Sequence, residues 1–424
     1  MSQITLPLDI KSLAVVSQRI DTEGNIVFEV KSKNGHSTCH KCGKPATKQN
    51  GRAPTRRIRH LPIFDQPVYL EIVPVRYICE HCDDHPTTTE QYDWTDRNAT
   101  ITKGLEEYIM RSLIHSTIQD VSIKEKLGHK VIQAALDRLV AGSVNWANFK
   151  SLDTLGIDEI ALRKGHDEYM TIISARLNDG SIRVLAVIEG RGKADIKSFF
   201  ESIPPRLQKT VKSVCTDMHD AFVYAAIEVF GLQAVVIDRY HVAKLYRKPL
   251  DKLRIKEMKR LKSELDSDEY AKLEGMMWIL RKQHECLSDA DKSKLELLYK
   301  HSEKLKKAHS YALKLTSIFN THCGRKSGMA KLNRWIKGVQ KSAVTCFDGF
   351  IATLGKYKPY IVNYFKKRKN SGFVEGMNNK IKVAKRRCYG FSAVKTIFQR
   401  LFLDFQGFEI YARLISTDAQ KSPK

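Results

Sequence analysis

The sequence predicts an α/β protein organised around a mixed sheet with helices on its faces. Three observations point there. Between Leu152 and His241, short apolar, β-branched runs give way to helical patterns and back again. Three of those runs finish on an aspartate: Asp158, Asp217 and Asp238. This stretch follows a strand-rich segment with paired cysteines and a block of helical periodicity, and precedes a long charged helical stretch.

The chain has 424 residues, which suggests about three domains. Lys+Arg total 72 against 47 for Asp+Glu, a formal charge of +25. Such a charge opposes compaction unless a polyanion offsets it, and nucleic acid is the expected one. A basic membrane-surface protein is the alternative, but no apolar run is long enough to span a bilayer. Met1 to Ile10 has no basic start followed by an apolar core, so no signal peptide is visible and the cytoplasm is the expected compartment. The nine cysteines then favour metal or free thiols over disulfides.

The opening segment reads as mostly strand, with Ile26, Phe28 and Val30 alternating with Val27 and Glu29. Cys39 and Cys42 form one Cys-x-x-Cys knuckle, Cys79 and Cys82 a second. Each short turn presents two thiolates to one ion, so the set predicts a structural Zn²⁺. A strand pair including Val68, Leu70 and Ile72 must fit between the knuckles. His36, His40, His81 and His85 are substitute ligands; free core thiols or a redox pair are the other readings. Arg56, Arg57 and Arg59 suit phosphate contact, though a solvated charge run explains them equally well.

Next, Ile101, Leu105, Ile109 and Leu113 mark a helix, Thr117 to Lys126 a shorter one, and Val131, Ile132, Ala135, Leu136 and Leu139 a third after the Leu127-Gly128 turn. Three helices with a glycine turn before the last is the helix-turn-helix pattern, although any small helical bundle looks similar. In that pattern the last helix enters the major groove with Lys130, Gln133 and Arg138 as readers or phosphate contacts.

In the sheet stretch, Leu152–Asp158, Tyr169–Arg176 and Ile182–Glu189 are strands, the last two joined across Asn178-Asp179-Gly180. A helix with Ile196, Phe199, Phe200 and Ile203 on one face stops at Pro204-Pro205. Val211–Asp217 is a strand, Asp220–Phe230 a helix closed by Gly231, and Ala234–Asp238 a strand. In such sheets ligands gather at the carboxyl ends of the parallel strands. Crowded carboxylates there need a cation or must be neutralised, although each acid alone reads as a surface strand end. Glu159 alternates to the opposite face of its strand. Asp220 sits at a helix start, where an acid favours the helix dipole.

Val242 to about His322 is charged and helical, with Trp278 and Trp335 expected in its core. Beyond the basic run Lys366–Lys369 and the turn Asn370-Ser371-Gly372, the residues Phe373, Met377, Ile381 and Ala384 share one helical face. Glu375, Asn378, Asn379 and Lys382 share the other, beside Lys380, Lys385, Arg386 and Arg387.

The strand order with its acids resembles the ribonuclease-H-like nucleotidyl transferase fold. The whole set resembles the DDE transposases of bacterial insertion sequences, and among them the ISL-three type. The residues that carry this are Gly156-Ile-Asp158-Glu159, Thr216-Asp217-Met218, Asp238-Arg239-Tyr240-His241 and the run from Asn370 and Gly372 through Glu375-Gly376 to Asn378-Asn379 and Ile381-Lys382. The resemblance implies that Asp158, Asp217 and Glu375 are catalytic and hold two Mg²⁺ or Mn²⁺ ions. It places Asp238 and His241 in support, and Asn379, Lys382, Lys385, Arg386 and Arg387 on DNA. It implies a transposase that binds its element's ends and target DNA as a homo-oligomer, a dimer, and cleaves and joins strands. The implied domains are 1–95 zinc-binding, 96–150 helix-turn-helix, 151–241 and 370–424 the two parts of a ribonuclease-H-like core, and 242–369 a helical insertion. Two other readings remain: a non-catalytic zinc and helix-turn-helix regulator, whose acids would not converge, and a nuclease of the same fold without strand transfer.

Overall fold

The computed structural model describes residues 8, 10–161, 169–282, 284–367, 372–388 and 393–411. The described residues fall into two compact units, one drawn from 1–142, 386–389 and 399–424, the other from 143–385 and 390–398.

In the first unit, β1 (Leu13–Ile20) and β2 (Ile26–Ser32) make a hairpin. Its turn is set by Asp21, whose carboxylate accepts the N–H of Glu23 at 3.0 Å and of Asn25 at 2.8 Å, a side chain standing in for a backbone turn. The chain then forms β3 (Ser37–Thr38) and β4 (Pro45–Ala46), a small hairpin, and β5 (Lys48–Arg52). β6 (Arg56–Ile63) and β7 (Gln66–Ile72) complete a sheet of order β1-β2-β7-β6. β7 lies parallel to β2, because the knuckle segment supplies the crossover between them. β8 (Val75–Ile78) and β9 (Thr87–Thr89) join β5 in a second sheet. Leu13, Val30, Ile58, Leu70, Ile72, Tyr92 and Trp94 form the core over the first sheet.

The helices α1 (Lys103–Leu113), α2 (Ile118–Glu125) and α3 (His129–Leu139) follow. Thr117 and Asp120 form a capping box at the start of α2, a feature contributing about 1 kcal/mol. Lys126 adopts a left-handed backbone with φ 51° and ends α2. Leu105, Ile109, Leu113, Val121, Ile132 and Leu136 pack together with Leu403 from the last helix.

The second unit contains a five-stranded sheet of order β12-β11-β10-β13-β14. β10 (Thr154–Ala161), β11 (Tyr169–Arg176) and β12 (Ile182–Glu189) are antiparallel neighbours; β13 (Ser213–Thr216) and β14 (Val235–Ile237) run parallel to β10. α4 (Lys193–Ser202), the short α5 (Pro205–Gln208) and α6 (Asp220–Phe230) make the crossovers. Phe200 meets Phe230 edge-on at 5.1 Å between α4 and α6. This is the expected mixed sheet, with one difference: β10 does not stop at Asp158. Its pairing with β11 continues to Ala161↔Tyr169, whereas its parallel pairing with β13 ends at Gly156↔Cys215.

The helical region comprises α7 (Arg239–Glu264), α8 (Ser267–Ala271), α9 (Met276–Ile279), α10 (Asp289–His301), α11 (Glu303–Asn320), α12 (Arg325–Lys341), α13 (Asp348–Ile361) and α14 (Tyr364–Lys367). It folds directly onto the sheet. The Asn363 amide donates to the carbonyls of Leu232 at 3.0 Å and Val235 at 2.7 Å. Trp335 is core, as expected, and its indole N–H donates to the Tyr311 carbonyl at 2.8 Å. Trp278 is not core: it is 65% exposed, because the single turn α9 buries only Met276 and Ile279. α15 (Gly372–Arg387) and α16 (Val394–Tyr411) close the chain, and α16 joins the first unit from Gln399 onward. No helix among the described residues is long and apolar enough to cross a membrane.

Candidate active site and metal centre

Asp158 and Asp217 lie where β10 and β13 stop pairing. Asp217 directly follows β13, and Asp158 stands two residues past the last parallel pair of β10. Both are half-buried. Each is held by the backbone: the Glu159 N–H donates to Asp158 at 2.7 Å, the His219 N–H to Asp217 at 3.1 Å. Burial pushes the Asp158 carboxyl up to about 6, Asp217's charge pushes the same way, and the Glu159 N–H and His241 oppose. Burial also raises Asp217, against His241 and the His219 N–H. The two acids and His241 therefore share one electrostatic neighbourhood.

Asp238 follows β14 and caps α7, accepting the Tyr240 N–H at 2.7 Å. Its other oxygen stands 4.0 Å from His241 Nε2. The cap fixes the first turn of α7, and with it His241 beside the acids. Glu159 departs from its expected isolation. Its carboxylate lies 3.4 Å from Arg191, yet it is close enough to push up the carboxyl of Asp217. Strand alternation alone gave no signal for that. Asp220 is engaged elsewhere, with Lys356 at 2.5 Å and the Tyr357 hydroxyl at 2.5 Å.

The backbone of α15 carries Glu375; the side chains of Glu375 and Asn378 lie outside the described residues. Met377, Ile381 and Ala384 are buried, as their spacing predicts, while Asn379, Lys380, Lys382 and Arg386 are exposed. The Lys385 ammonium donates to the Ala161 carbonyl at the end of β10. Arg387 instead pairs with the buried Asp404 at 2.9 Å, tying α15 to α16 within the first unit.

The four cysteines converge. Sγ separations are 3.6 Å for Cys42–Cys79, 3.8 Å for Cys79–Cys82 and 4.0 Å for Cys39–Cys82, and all four sulfurs lie within 4.8 Å of one another. A Zn–S bond of about 2.3 Å gives a tetrahedron edge of about 3.8 Å, so the set fits zinc. Backbone N–H groups, that of Cys42 first, bring the Cys39 thiol down to about 6, while its contact with Cys42 and burial push Cys82 up to about 12. Four such thiolates coexist only around a cation. The histidines are not needed as ligands: His40 Nδ1 meets the Thr88 hydroxyl at 2.9 Å, His85 Nδ1 the Cys79 carbonyl at 3.0 Å.

The nearby arginines turn inward. Arg59 is 6% exposed and reaches the Glu125 carbonyl. Arg56 donates to the carbonyls of Asp96 and Ala99. Arg57 pairs with Asp21 at 2.5 Å and lies 4.2 Å over the Tyr69 ring. Backbone carbonyls hold both Arg59 and Arg56, and nothing in the sequence marks those acceptors. On α3, Lys130 and Arg138 are exposed and Gln133 half-buried, with Arg138 also paired to Glu106.

A ribonuclease-H-like sheet with acids at its parallel edge, joined in one chain to a four-cysteine knuckle and a helix-turn-helix, defines a DDE transposase. The chain belongs to the ISL3 family of transposases: that family, described as "Transposase", matches residues 155–401. The zinc-finger of transposase IS204/IS1001/IS1096/IS1165 matches residues 36–82, and the helix-turn-helix domain of transposase family ISL3 matches residues 90–140. A relative, the transposase for insertion sequence element IS1001 of Bordetella parapertussis, is 27% identical over 371 residues, covering 87% of this chain and 89% of that protein. The protein is thus an insertion-sequence transposase with a structural zinc site and a DNA-binding helix-turn-helix.

Proposed function

We propose that this transposase binds its element's ends and target DNA, cleaves the strands and transfers them by in-line phosphodiester attack, with Asp158, Asp217 and Glu375 as its catalytic acids. One observation carries the reading. Two half-buried carboxylates stand side by side at the carboxyl edge of parallel strands, and burial raises both. Hard oxygen donors that repel one another in a shielded place fit a divalent cation.

Asp158, Asp217 and Glu375 would hold two Mg²⁺ or Mn²⁺ ions, which when bound activate the attacking oxygen and stabilise the leaving one. The remaining work falls to the chain's own groups. The N–H groups of Glu159 and His219 orient the two aspartates. Asp238 and His241 support the acids from the start of α7. Asn379, Lys382, Lys385 and Arg386 hold DNA by its backbone beside the acids. Lys130, Gln133 and Arg138 on α3 contact the element ends. Two ends call for two copies, so the working form is a dimer on DNA. The functional segments are 1–95, 96–150, 151–241 with 370–424, and 242–369.

The test is incubation of the full chain with its element's end DNA and Mg²⁺, scored separately for cleavage and joining. Both products are expected. Cleavage without joining would reduce the protein to a nuclease, and neither product, with end binding intact, would leave a regulator.

A further inference from the structure

α7 leads away from the candidate acids: Asp238 caps it and His241 stands in its first turn. Past that turn its two sides differ. Val242, Tyr246, Leu250, Leu253, Glu257 and Leu261 are buried. Lys244, Lys248, Lys252, Lys256, Lys259 and Lys262 are all exposed. At about 3.6 residues per turn these lysines lie within about 120° of arc and run about 27 Å along the helix. Pro249 lies inside α7, yet the lysines on both sides of it stay exposed.

The charge on this face is not offset. The acids of α7 are held by arginines: Asp251 by Arg254 at 2.8 Å and Arg281 at 3.4 Å, Glu257 by Arg260 at 2.9 Å, and Glu264 by the same arginine. Among the described residues no acid pairs with any of the six lysines. α10 and α11 are built differently. Lys292 pairs with Asp289 at 3.0 Å, and Lys306 and Lys307 pair with Glu303 at 3.9 and 3.6 Å. A helical surface made only to be solvated mixes its signs in that way. Like charges one turn apart destabilise a helix, and Lys244, Lys248, Lys252 and Lys256 follow one another at that spacing. A polyanion laid along the face turns the repulsion into attraction.

Lysine suits a backbone rather than a base. Its ammonium is a point charge on a flexible stem, and it holds phosphates without reading sequence. An element's end has a fixed sequence to be recognised by, and its flank stays tied to it covalently until the cut. Target DNA arrives as a separate molecule of no fixed sequence, so its affinity must come from contacts that ignore sequence. A track of about 27 Å spans about eight base pairs at about 3.4 Å each.

We infer that the lysine face of α7 holds the backbone of duplex target DNA and leads it to the acids. The inference rests on the strand-transfer reading above and adds the surface that captures the second DNA molecule.

The experiment gives the full zinc-loaded chain pre-cut end DNA, Mg²⁺ and a labelled duplex of unrelated sequence, so that joining is read without cleavage. A variant with Lys248→Gln, Lys252→Gln, Lys256→Gln and Lys259→Gln should need about tenfold more target, or more still, for half-maximal joining, and should reach the native rate at saturation. The log–log salt slope of target binding should become shallower by about 3.6, at about 0.9 per lost phosphate. End binding, cleavage of uncut ends and the thermal midpoint should not fall. The same four lysines changed to arginine keep the charge and should keep native target use. Lys306→Gln with Lys307→Gln, which removes two charges from α11, should change none of these readings. Should the quadruple variant unfold, Lys252→Gln alone decides, with a slope shallower by about 0.9. Unchanged target use and salt slope overturn the inference. So does a loss confined to cleavage of uncut ends, which would assign the face to the flank, or a loss of self-association without DNA, which would assign it to a second copy. If the native chain joins nothing, the strand-transfer reading fails separately, and capture of the unrelated duplex by the end-bound protein, native against variant, still decides whether this face holds DNA.

Discussion

The four cysteines of the first unit and the two aspartates of the second are both sets of groups that repel one another when ionised. The sulfurs stand 3.6 to 4.0 Å apart in the pairs that touch, on two knuckles braced by short strands. Nothing there is left open; the ion completes the fold. The aspartates stand at the end of a sheet that is already complete without them, and burial raises both carboxyls. One set makes its surroundings fold. The other is held by a fold that other residues stabilise, at a cost to stability, which is what the proposed metal-binding role would require.

The largest effect separating the two should come from Cys79→Ser. Structural zinc in small domains contributes about 10–16 kcal/mol of binding free energy, so losing one thiolate should unfold the knuckles and abolish end binding. Zinc analysis of the native chain should give about one ion per molecule. A Cys79→Ser protein that binds end DNA normally without zinc would remove the contrast.

Next come Asp158→Asn, Asp217→Asn and Glu375→Gln. Each keeps shape and removes charge, and several kcal/mol of transition-state stabilisation corresponds to a rate loss of about 10³-fold or more. End binding should change little, as a gel-shift titration beside the cleavage assay would show. An active Glu375→Gln protein would refute the triad.

The third expectation concerns stability and runs the other way. Asp158 has a raised carboxyl in the folded chain, so its folded form holds the proton more tightly than the unfolded form. That advantage is full below about pH 4 and disappears as pH rises through about 6. At pH 7.5 without Mg²⁺ the native protein therefore carries the cost of a charged, half-buried Asp158. Asp158→Asn should be more stable there by about 1–2 kcal/mol, less than the full shift because the side chain keeps some solvent. Thermal unfolding at pH 7.5 and pH 4 measures this; an equal difference at both would show that charge is not the cause.

The smallest effect should be that of Asp220→Asn. It loses an exposed contact to Lys356 and one to Tyr357, costing less than about 1 kcal/mol. Substantial cleavage should remain in the same assay. Loss of cleavage comparable to that of Asp217→Asn would place Asp220 in the active site.

Local pattern made much of this molecule legible. The cysteine spacing, the helices from Lys103 to Leu139, the runs that became β11 to β14 and the buried face of α15 all follow from periodicity and turn chemistry, which neighbouring residues impose on one another. The readings that changed depend on partners distant in sequence. The Glu125 carbonyl that Arg59 reaches lies 66 residues away in sequence, and Trp278 looked like core until α9 proved to be a single turn.

The sequence by itself determined the class of fold, the two cysteine pairs and which acids deserved attention, because each is encoded in spacings of a few residues. Tertiary structure alone decided that β10 runs past Asp158 along β11, that Glu159 is felt by Asp217, and that α16 joins the first unit from Gln399 onward. The reason is physical: strand pairing, burial and electrostatic neighbourhood are fixed by segments that meet only when the chain has folded, and the spacing of residues along the chain carries no measure of that distance.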